Sequence, residues 1–273
     1  MPEHHASYTD VLSKFLDYTS SFSSSQEDAA QSKLSHTIGT VNTAVDIALN
    51  HSLDFNDIAE CAFIALFHDI GRFPQWEIYH TYVDSRSEQH ADIGIRVLFE
   101  DGLIQKFLPN ITPQQPSYQE IFTAVKFHSS RYVDYSAMSP RERLFTQLIR
   151  DADKLDNCRS RLSTPMDVIM HKIGLSIEDM PSSIISQIVF DTFMNSETVN
   201  LSDCKTPADF FLAGMAIFFD LVFPYSFSVI SDNNWVSTSF DRFCVSDPHH
   251  FRDEHTLDQL KQAESLLTKF TTS

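Results

Sequence analysis

The feature that most constrains this chain is an apolar run that ends in an adjacent histidine and aspartate. Residues 58–67 are mostly apolar, and His68 and Asp69 follow them directly. A run of this kind predicts a buried helix, and a carboxylate at its end is costly unless a cation or strong donors meet it. Neighbouring helical positions lie about 100° apart, so both side chains can lean toward one ion. The pair is therefore a candidate metal site.

Four other histidines and aspartates stand within helical patterns or at their ends. They are His36, His90, His128 and Asp153. His36 precedes the pattern of residues 37–49, and His128 follows that of residues 121–127. Imidazole and carboxylate donors together suit iron, manganese, zinc or nickel, with no thiolate needed. We therefore expect several helices to contribute ligands to one metal centre.

These motifs resemble the HD superfamily of metal-dependent phosphohydrolases. A histidine opens one helix, an apolar helix ends in His-Asp-Ile-Gly, and an Ala-Asp-Lys follows later, all within residues 34–157. The resemblance implies an all-α fold, an HD-domain helical bundle with additional C-terminal helices. It also implies that four side chains bind one metal: His36, His68, Asp69 and Asp153. His90 and His128 resemble the extra histidines of the binuclear HD subset, in which Asp69 would bridge two ions.

Two aspartates compete for the last ligand position. Asp151 and Asp153 are two residues apart, so they face roughly opposite sides of a helix. The aspartate of the family usually stands directly before a basic residue, which favours Asp153 before Lys154. Asp151 is then expected to be an outer carboxylate or to face solvent.

The chemistry implied by the resemblance is hydrolysis of a phosphoester or phosphoanhydride of a nucleotide or another small phosphorylated molecule. The expected cofactor is one or two divalent transition ions, iron or manganese first, with zinc, nickel or magnesium as alternatives. Such an ion supplies hydroxide near neutral pH by lowering the pKa of its water. The candidate catalytic residues are Asp69, Lys154 and Arg72. Cations must also hold the non-reacting phosphate oxygens, and the candidates for this role are Arg72, Arg131, Lys154 and Arg150.

Three other functions stay open at this stage. The first is a cyclic or linear dinucleotide phosphodiesterase, which substrate trials would separate from a mononucleotide hydrolase. The second is a non-catalytic nucleotide- or metal-binding regulator whose C-terminal half engages a partner; it would bind ligand without releasing phosphate. The third is a di-iron oxygenase of HD fold, which aerobic product analysis with reduced iron would expose.

Composition and charge exclude several classes of partner. The net charge of −17 argues against binding along a DNA or RNA backbone, which needs a basic surface. The apolar run after Phe210 is interrupted by Asp220 and Pro224, whereas a membrane-spanning helix needs about twenty apolar residues. Four widely spaced cysteines and an N-terminus without a signal pattern favour a reduced, cytoplasmic setting. The oligomeric state is not predicted.

The predicted organisation is a single helical domain over residues 1–273. Its metal-site core spans about 34–157 and its C-terminal helical extension spans 161–273. Helices are predicted at 7–18, 33–50, 56–70, 88–107, 118–129, 140–160, 165–174, 181–195, 207–223 and 256–270. Thr19–Ser25 is predicted to be a mobile connection, Gly71–Glu88 an aromatic loop over the site, and residues 227–253 irregular.

Overall fold

A computed structural model describes residues 7–22 and 27–272 of the chain. All regular structure in these residues is helical, and they contain no strand, so the predicted all-α class is confirmed. The chain divides into two compact units, one ending at Asp156 and the other beginning at Asn157. The single domain expected over the whole chain stays a prediction. The expectations for the N-terminal five residues and for residues 23–25 lie outside the described ranges.

The first unit consists mainly of eight helices, which bring the candidate ligands together. They are α1 (Tyr8–Ser20), α2 (Glu27–Asn50), α3 (Phe55–Phe67), α4 (Arg72–Tyr79), α5 (His90–Ile95), α6 (Leu103–Phe107), α7 (Pro116–Phe127) and α8 (Pro140–Ser163). Short 3-10 turns cover Asp84–Arg86 and Tyr135–Ala137, and a π-turn covers Arg96–Glu100.

Helix α3 is the buried apolar helix that the sequence predicts. The Asp54 side chain caps it by accepting hydrogen bonds from the backbone N–H groups of Asn56 and Asp57. Every residue from Glu60 to Phe67 is buried, and α3 contacts α1, α2 and α7. Because the helix ends at Phe67, its C-terminal end delivers His68 and Asp69 into the interior.

The prediction of a loop from Gly71 to Glu88 is wrong for its first half, which forms α4. Pro74 is compatible with this helix, because it lies in the first turn of α4, where backbone N–H groups have no partner within the helix. Phe73 is buried and packs edge-on against Phe15 with ring centroids 6.1 Å apart. This ring therefore anchors the segment to the core.

The predicted helix over residues 88–107 is interrupted in the middle. Helix α5 passes into the π-turn, and Gly102 then takes a left-handed conformation with φ of 73° before α6 begins. Glycine has no Cβ and adopts this conformation without strain. The short α5 places His90 at its first residue.

The second unit contains the end of α8 and six further helices. The six are α9 (Met166–Lys172), α10 (Gln187–Met194), α11 (Pro207–Ala216), α12 (Pro224–Asp232), α13 (Trp235–Arg242) and α14 (Glu254–Thr272). Turns of 3-10 type cover Ile177–Ser182, Leu201–Asp203 and Ile217–Asp220. The prediction that residues 227–253 are irregular is wrong, because α12 and α13 occupy much of this range. Asn234, with φ of 53°, separates the two helices, which are nine and eight residues long.

Helix α11 contains the apolar run that raised the question of a membrane span. A capping box between Thr206 and Asp209 begins the helix, and most of its residues are buried. Within the described parts of the chain, no helix is long and apolar enough to cross a membrane. The four cysteines are all free thiols, and Cys61 is buried in the core as predicted.

Candidate metal centre

Two of the candidate histidines are held by the carbonyl groups of the helix ends that carry them. His68 Nδ1 lies 2.7 Å from the carbonyl oxygen of Ala65, and His128 Nδ1 lies 2.7 Å from that of Val125. A carbonyl oxygen only accepts, so each Nδ1 carries the proton and donates it. Each Nε2 is therefore left with a lone pair. His68 Nε2 is buried and has no hydrogen-bond partner among the described residues.

The other two histidines are held by carboxylates. His36 Nδ1 lies 2.7 Å from Asp156 Oδ2, and His90 Nδ1 lies 2.8 Å from Asp84 Oδ2. Metal-binding histidines are commonly oriented in this way, with the second ring nitrogen donating to a carboxylate or a carbonyl. All four imidazoles are thus fixed through Nδ1, and all four present Nε2.

Asp69 lies between two pairs of these nitrogens. Its Oδ2 is 3.8 Å from His36 Nε2 and 3.9 Å from His68 Nε2. Its Oδ1 is 3.3 Å from His90 Nε2 and 3.7 Å from His128 Nε2. The residue is buried, with 3% of its surface exposed. Each of the two carboxylate oxygens of Asp69 therefore faces a different histidine pair.

Asp153 joins the first of these pairs. Its Oδ1 is 3.0 Å from His36 Nε2 and 3.8 Å from His68 Nε2. The candidate ligand atoms of these three residues all lie within 4.8 Å of one another. A second group with the same spacing consists of His68, Asp69 and His128. Asp151, the alternative to Asp153, is fully buried on α8.

The second histidine pair is arranged for a cation. His90 Nε2 and His128 Nε2 are 3.0 Å apart, and both Nδ1 protons are already donated elsewhere. Two lone pairs would face each other at this distance unless a cation or a proton lay between them. Two nitrogens bound at right angles to one ion, each at about 2.1 Å, would be about 3 Å apart. Together with the mixed nitrogen and oxygen donors, this spacing shows that the residues fit a divalent metal.

The protonation states of the buried groups also suit metal binding. Burial opposes ionisation of Asp69, but the cations of Lys33 and Arg72 hold its pKa well below the usual value. Burial lowers the pKa of His68 to about 4 and also lowers that of His90. These imidazoles are therefore neutral at physiological pH, which is the form that binds metals.

His36 differs from the other histidines of the site. Burial opposes its protonation, but its contacts with Asp153 and Asp156 outweigh burial and raise its pKa to about 9. Burial likewise opposes ionisation of Asp153, whose pKa is nevertheless held below the usual value by His36. In the metal-free protein these two residues form an ion pair at neutral pH.

Arg72 connects the ligand cluster to the segment after α4. Its Nε lies 3.4 Å from Asp69 Oδ1. Its Nη1 donates to Gln75 Oε1, to the carbonyl oxygen of Tyr82 and to Asp84 Oδ1, at 2.9, 2.7 and 3.0 Å. Arg72 thus contacts both Asp69 and Asp84, and Asp84 is the carboxylate that orients His90. Its role toward substrate stays a prediction.

The other predicted cations lie in different surroundings. Arg150 is buried, and its Nη1 donates to carbonyl oxygens at the end of α7, including that of His128 at 3.1 Å. Its guanidinium therefore caps α7 and supports His128. Lys154 is half-buried next to Asp153, and Arg131 is exposed after α7. Contacts of these three residues with substrate stay predictions.

The sequence interpretation missed several residues that support the cluster. They are Lys33, Gln75, Asp84 and Asp156. Lys33 and Asp156 stand three residues from His36 and Asp153, so helical periodicity places each pair on one face and could have indicated them. Gln75 and Asp84 have no comparable sequence signal. Their contacts depend on how the segment between α4 and α5 folds back.

A glycine permits the close approach of α5 to the His-Asp segment. A Cβ atom at Gly71 would lie 2.1 Å from the carbonyl oxygen of His90 and 2.5 Å from the backbone nitrogen of Gly94. Neither backbone atom can move away without displacing α5. Gly71 therefore allows His90 to come within reach of Asp69.

One of the comparisons with known proteins found a family match. Residues 34–158 match the HD domain family, nearly the same range as the resemblance in the sequence. No curated protein and no solved structure matched the chain. The protein therefore contains an HD domain over residues 34–158. An HD domain with a buried cluster of histidines and aspartates suggests a metal-dependent phosphohydrolase and implies small phosphorylated substrates.

Proposed function

We propose that the protein hydrolyses a phosphoester or phosphoanhydride of a small, nucleotide-like molecule with the help of two divalent metal ions. The proposed ligands are His36, His68, Asp69, His90, His128 and Asp153. The observation that carries this proposal is the position of Asp69, whose two oxygens face different pairs of Nε2 atoms. A carboxylate placed in this way can bind one ion through each oxygen.

The bound ions would lower the pKa of a water molecule and withdraw charge from phosphorus. The side chains of the protein keep the site ready for them. Asp69 stays ionised because Lys33 and Arg72 lower its pKa. The Nδ1 contacts of the four histidines keep every Nε2 directed inward, so little reorganisation is needed when metal binds.

Substrate binding requires local cations because the chain as a whole is strongly acidic, with a net charge of −17. Metal ions can reverse the field inside a pocket even on an acidic protein. We propose that Arg72, Arg131, Lys154 and Arg150 assist them, as the sequence predicts. Arg72 Nη1 and Arg150 Nη1 already donate to protein groups, so these two residues also hold the site in place.

The metal content of the protein is the first measurement to make. Elemental analysis would use untagged protein purified anaerobically without chelators, before and after reconstitution with manganese or iron. We expect two equivalents per chain, and phosphate release from a panel of mononucleotides, dinucleotides and simple phosphoesters. One equivalent would confine the site to the group around His36. No metal after reconstitution would favour a regulator, and oxygen consumption with reduced iron would favour an oxygenase.

Two substitutions test whether these residues bind metal and whether the site holds two ions. Asp69→Ala should abolish metal binding and phosphatase activity while leaving the helical content of the protein unchanged. His128→Ala should remove one of two metal equivalents. The matched control is His171→Ala, which alters an exposed histidine on α9 and should change neither property. Full metal content and activity in the Asp69→Ala protein would refute the site.

A further inference from the structure

Lys33 is a cation of the site that no motif indicates. It lies on α2, three residues before His36, and its Nζ is 3.1 Å from Asp69 Oδ2. This is the oxygen that faces His36 and His68. About 20% of the Lys33 side chain is exposed, so a small solute can reach it.

An aromatic ring also holds the ammonium group of Lys33. Its Nζ lies 5.3 Å from the centroid of the Tyr82 ring, within the range of cation–π contacts. The Tyr82 ring in turn lies against Trp76, with centroids 4.7 Å apart. The Tyr82 ring therefore gives the ammonium group a second contact besides Asp69.

Metal binding would change the surroundings of Lys33. An ion bound to Asp69 Oδ2 would compete with the ammonium group for that oxygen. Two positive charges a few ångströms apart repel each other strongly in a partly buried site. The flexible stem of lysine allows Nζ to move away from the carboxylate. An anion bound beside the ion would restore a partner to the ammonium group.

The arginines near the site are less suited to this role. Arg72 Nη1 donates to three protein groups, and Arg150 Nη1 donates to backbone carbonyls. A phosphate that approached either Nη1 would have to replace those bonds. The Lys33 contact with Asp69, by contrast, is the one that metal binding would itself weaken.

We propose that Lys33 binds a phosphate oxygen of substrate and product when the metal ions are present, and neutralises Asp69 when they are absent. This inference rests on the proposed function. It assigns Lys33 two alternating partners, a carboxylate in the metal-free protein and a phosphate in the loaded protein. Lys33 should therefore oppose metal binding and favour phosphate binding.

Calorimetry can measure both effects without turnover. Manganese is titrated into metal-free wild type, Lys33→Met, Lys33→Arg and the control Lys106→Met, whose lysine is exposed on α6. Inorganic phosphate is then titrated into the manganese-loaded proteins. Lys33→Met should bind manganese at least as tightly as wild type and phosphate at least about tenfold more weakly, as expected for the loss of a hydrogen bond to a charged group. Lys33→Arg should retain most of the phosphate affinity, and Lys106→Met should match wild type.

The outcomes separate this inference from the proposed function. Equal phosphate affinity in wild type and Lys33→Met would overturn the inference, and so would weaker manganese binding by Lys33→Met. Phosphate binding that depends on Lys33, in a protein that hydrolyses no phosphoester, would support the inference and refute the proposed function. Thermal unfolding of each variant shows that it is folded, and Lys33→Gln replaces Lys33→Met if the latter is not.

Discussion

His36 Nδ1 and Asp156 Oδ2 lie 2.7 Å apart, which joins α2 to α8 directly behind the candidate metal ligands. Asp156 stands one helical turn after Asp153, and the same imidazole contacts both carboxylates. Asp156 thereby fixes the ring so that Nε2 faces Asp153 and Asp69. This contact has consequences for metal affinity that can be measured.

Replacement of Asp156 by asparagine should weaken metal binding about 10- to 100-fold, the usual cost of losing a carboxylate that orients a metal-binding histidine. The affinity can be measured by competition with a chromophoric chelator. Asp46→Asn is the matched control, since Asp46 is exposed and lies on the same helix as His36. Equal affinities for Asp156→Asn and wild type would show that Asp156 does not support the site.

Metal affinity should rise with pH up to about pH 9. In the metal-free protein the pKa of His36 is raised to about 9, so the imidazole carries a proton at neutral pH that the metal must displace. Raising the pH removes this competing proton. The metal affinity should therefore rise by up to about a factor of ten per pH unit. Calorimetry in buffers with different ionisation enthalpies should show protons released as manganese binds. Affinity that stays constant between pH 6.5 and 8.5 would contradict this prediction.

Gly71→Ala should destabilise the protein by about 1–3 kcal/mol, the typical cost of overpacking a tight contact. The new methyl group would collide with the backbone of His90 and push α5 away from Asp69. We also expect the variant to bind less metal, because His90 would be displaced. Denaturant unfolding and elemental analysis measure the two effects.

The neighbouring glycine provides the control for this substitution. A Cβ atom at Gly94 would meet its nearest neighbours at 3.6 Å or more, an ordinary contact distance. Gly94→Ala should therefore keep wild-type metal content and stability within about 1 kcal/mol, since alanine also favours helix formation. Equal losses in both variants would show that the close approach of Gly71 to His90 is not the cause.

A second buried cluster should make stability depend on pH. Glu60 on α3 and Glu120 on α7 share Arg141, whose Nη2 is 3.4 Å from Glu60 Oε2 and whose Nε is 2.8 Å from Glu120 Oε1. The other oxygen of each glutamate is buried and has no hydrogen-bond partner among the described residues. Ser117 also donates to Glu60, and Asp57 and Cys61 lie nearby. Burial and the neighbouring Glu120 raise the pKa of Glu60 to about 8.

The free energy of unfolding should therefore fall as pH rises from about 4.5 to about 8. Over this range the folded protein keeps a proton on Glu60 that the unfolded chain releases, so the stabilisation is lost as pH approaches 8. The slope for one proton is at most about 1.4 kcal/mol per pH unit. The glutamine in Glu60→Gln cannot ionise. The free energy of unfolding of this variant, measured by urea denaturation of the metal-free protein, should therefore fall less with rising pH than that of wild type. Glu77→Gln, at an exposed position on α4, should behave as wild type. If the free energies of unfolding of Glu60→Gln and wild type differed by the same amount at every pH, a contribution from the ionisation of Glu60 would be excluded.

Several features of the fold and site were readable from the chain because they depend on neighbouring residues. The apolar run before His68 predicted a buried helix, and α3 is that helix. The motifs within residues 34–157 indicated the HD domain that the family comparison found. Four of the six candidate ligands, His68, Asp69, His90 and His128, stand at helix ends, whereas His36 and Asp153 lie within α2 and α8. All six lie close together in the folded protein. Of the two aspartates considered for the last ligand position, Asp153 is the one that faces His36.

The positions of the long cationic side chains could not be predicted in this way. Arg150 Nη1 caps α7, because carbonyl oxygens of residues about twenty positions earlier lie within its reach, and contact of Arg150 with substrate stays a prediction. Helical periodicity places Lys33 on the same face of α2 as His36, but its contact with Asp69, 36 positions away, depends on tertiary packing. A long flexible side chain selects its partner from whatever the tertiary fold brings near, and sequence spacing does not contain that information.

The sequence alone determined the helical class, the buried helix before His68, and the kind of metal donors available, since these follow from local periodicity and side-chain chemistry. The tertiary structure alone decided that Asp69 divides its oxygens between two histidine pairs, that Asp84 and Asp156 orient two of the imidazoles, and that Gly71 lets α5 approach. Most of these relationships join residues that lie far apart in the chain, and their distances depend on how whole helices pack against one another.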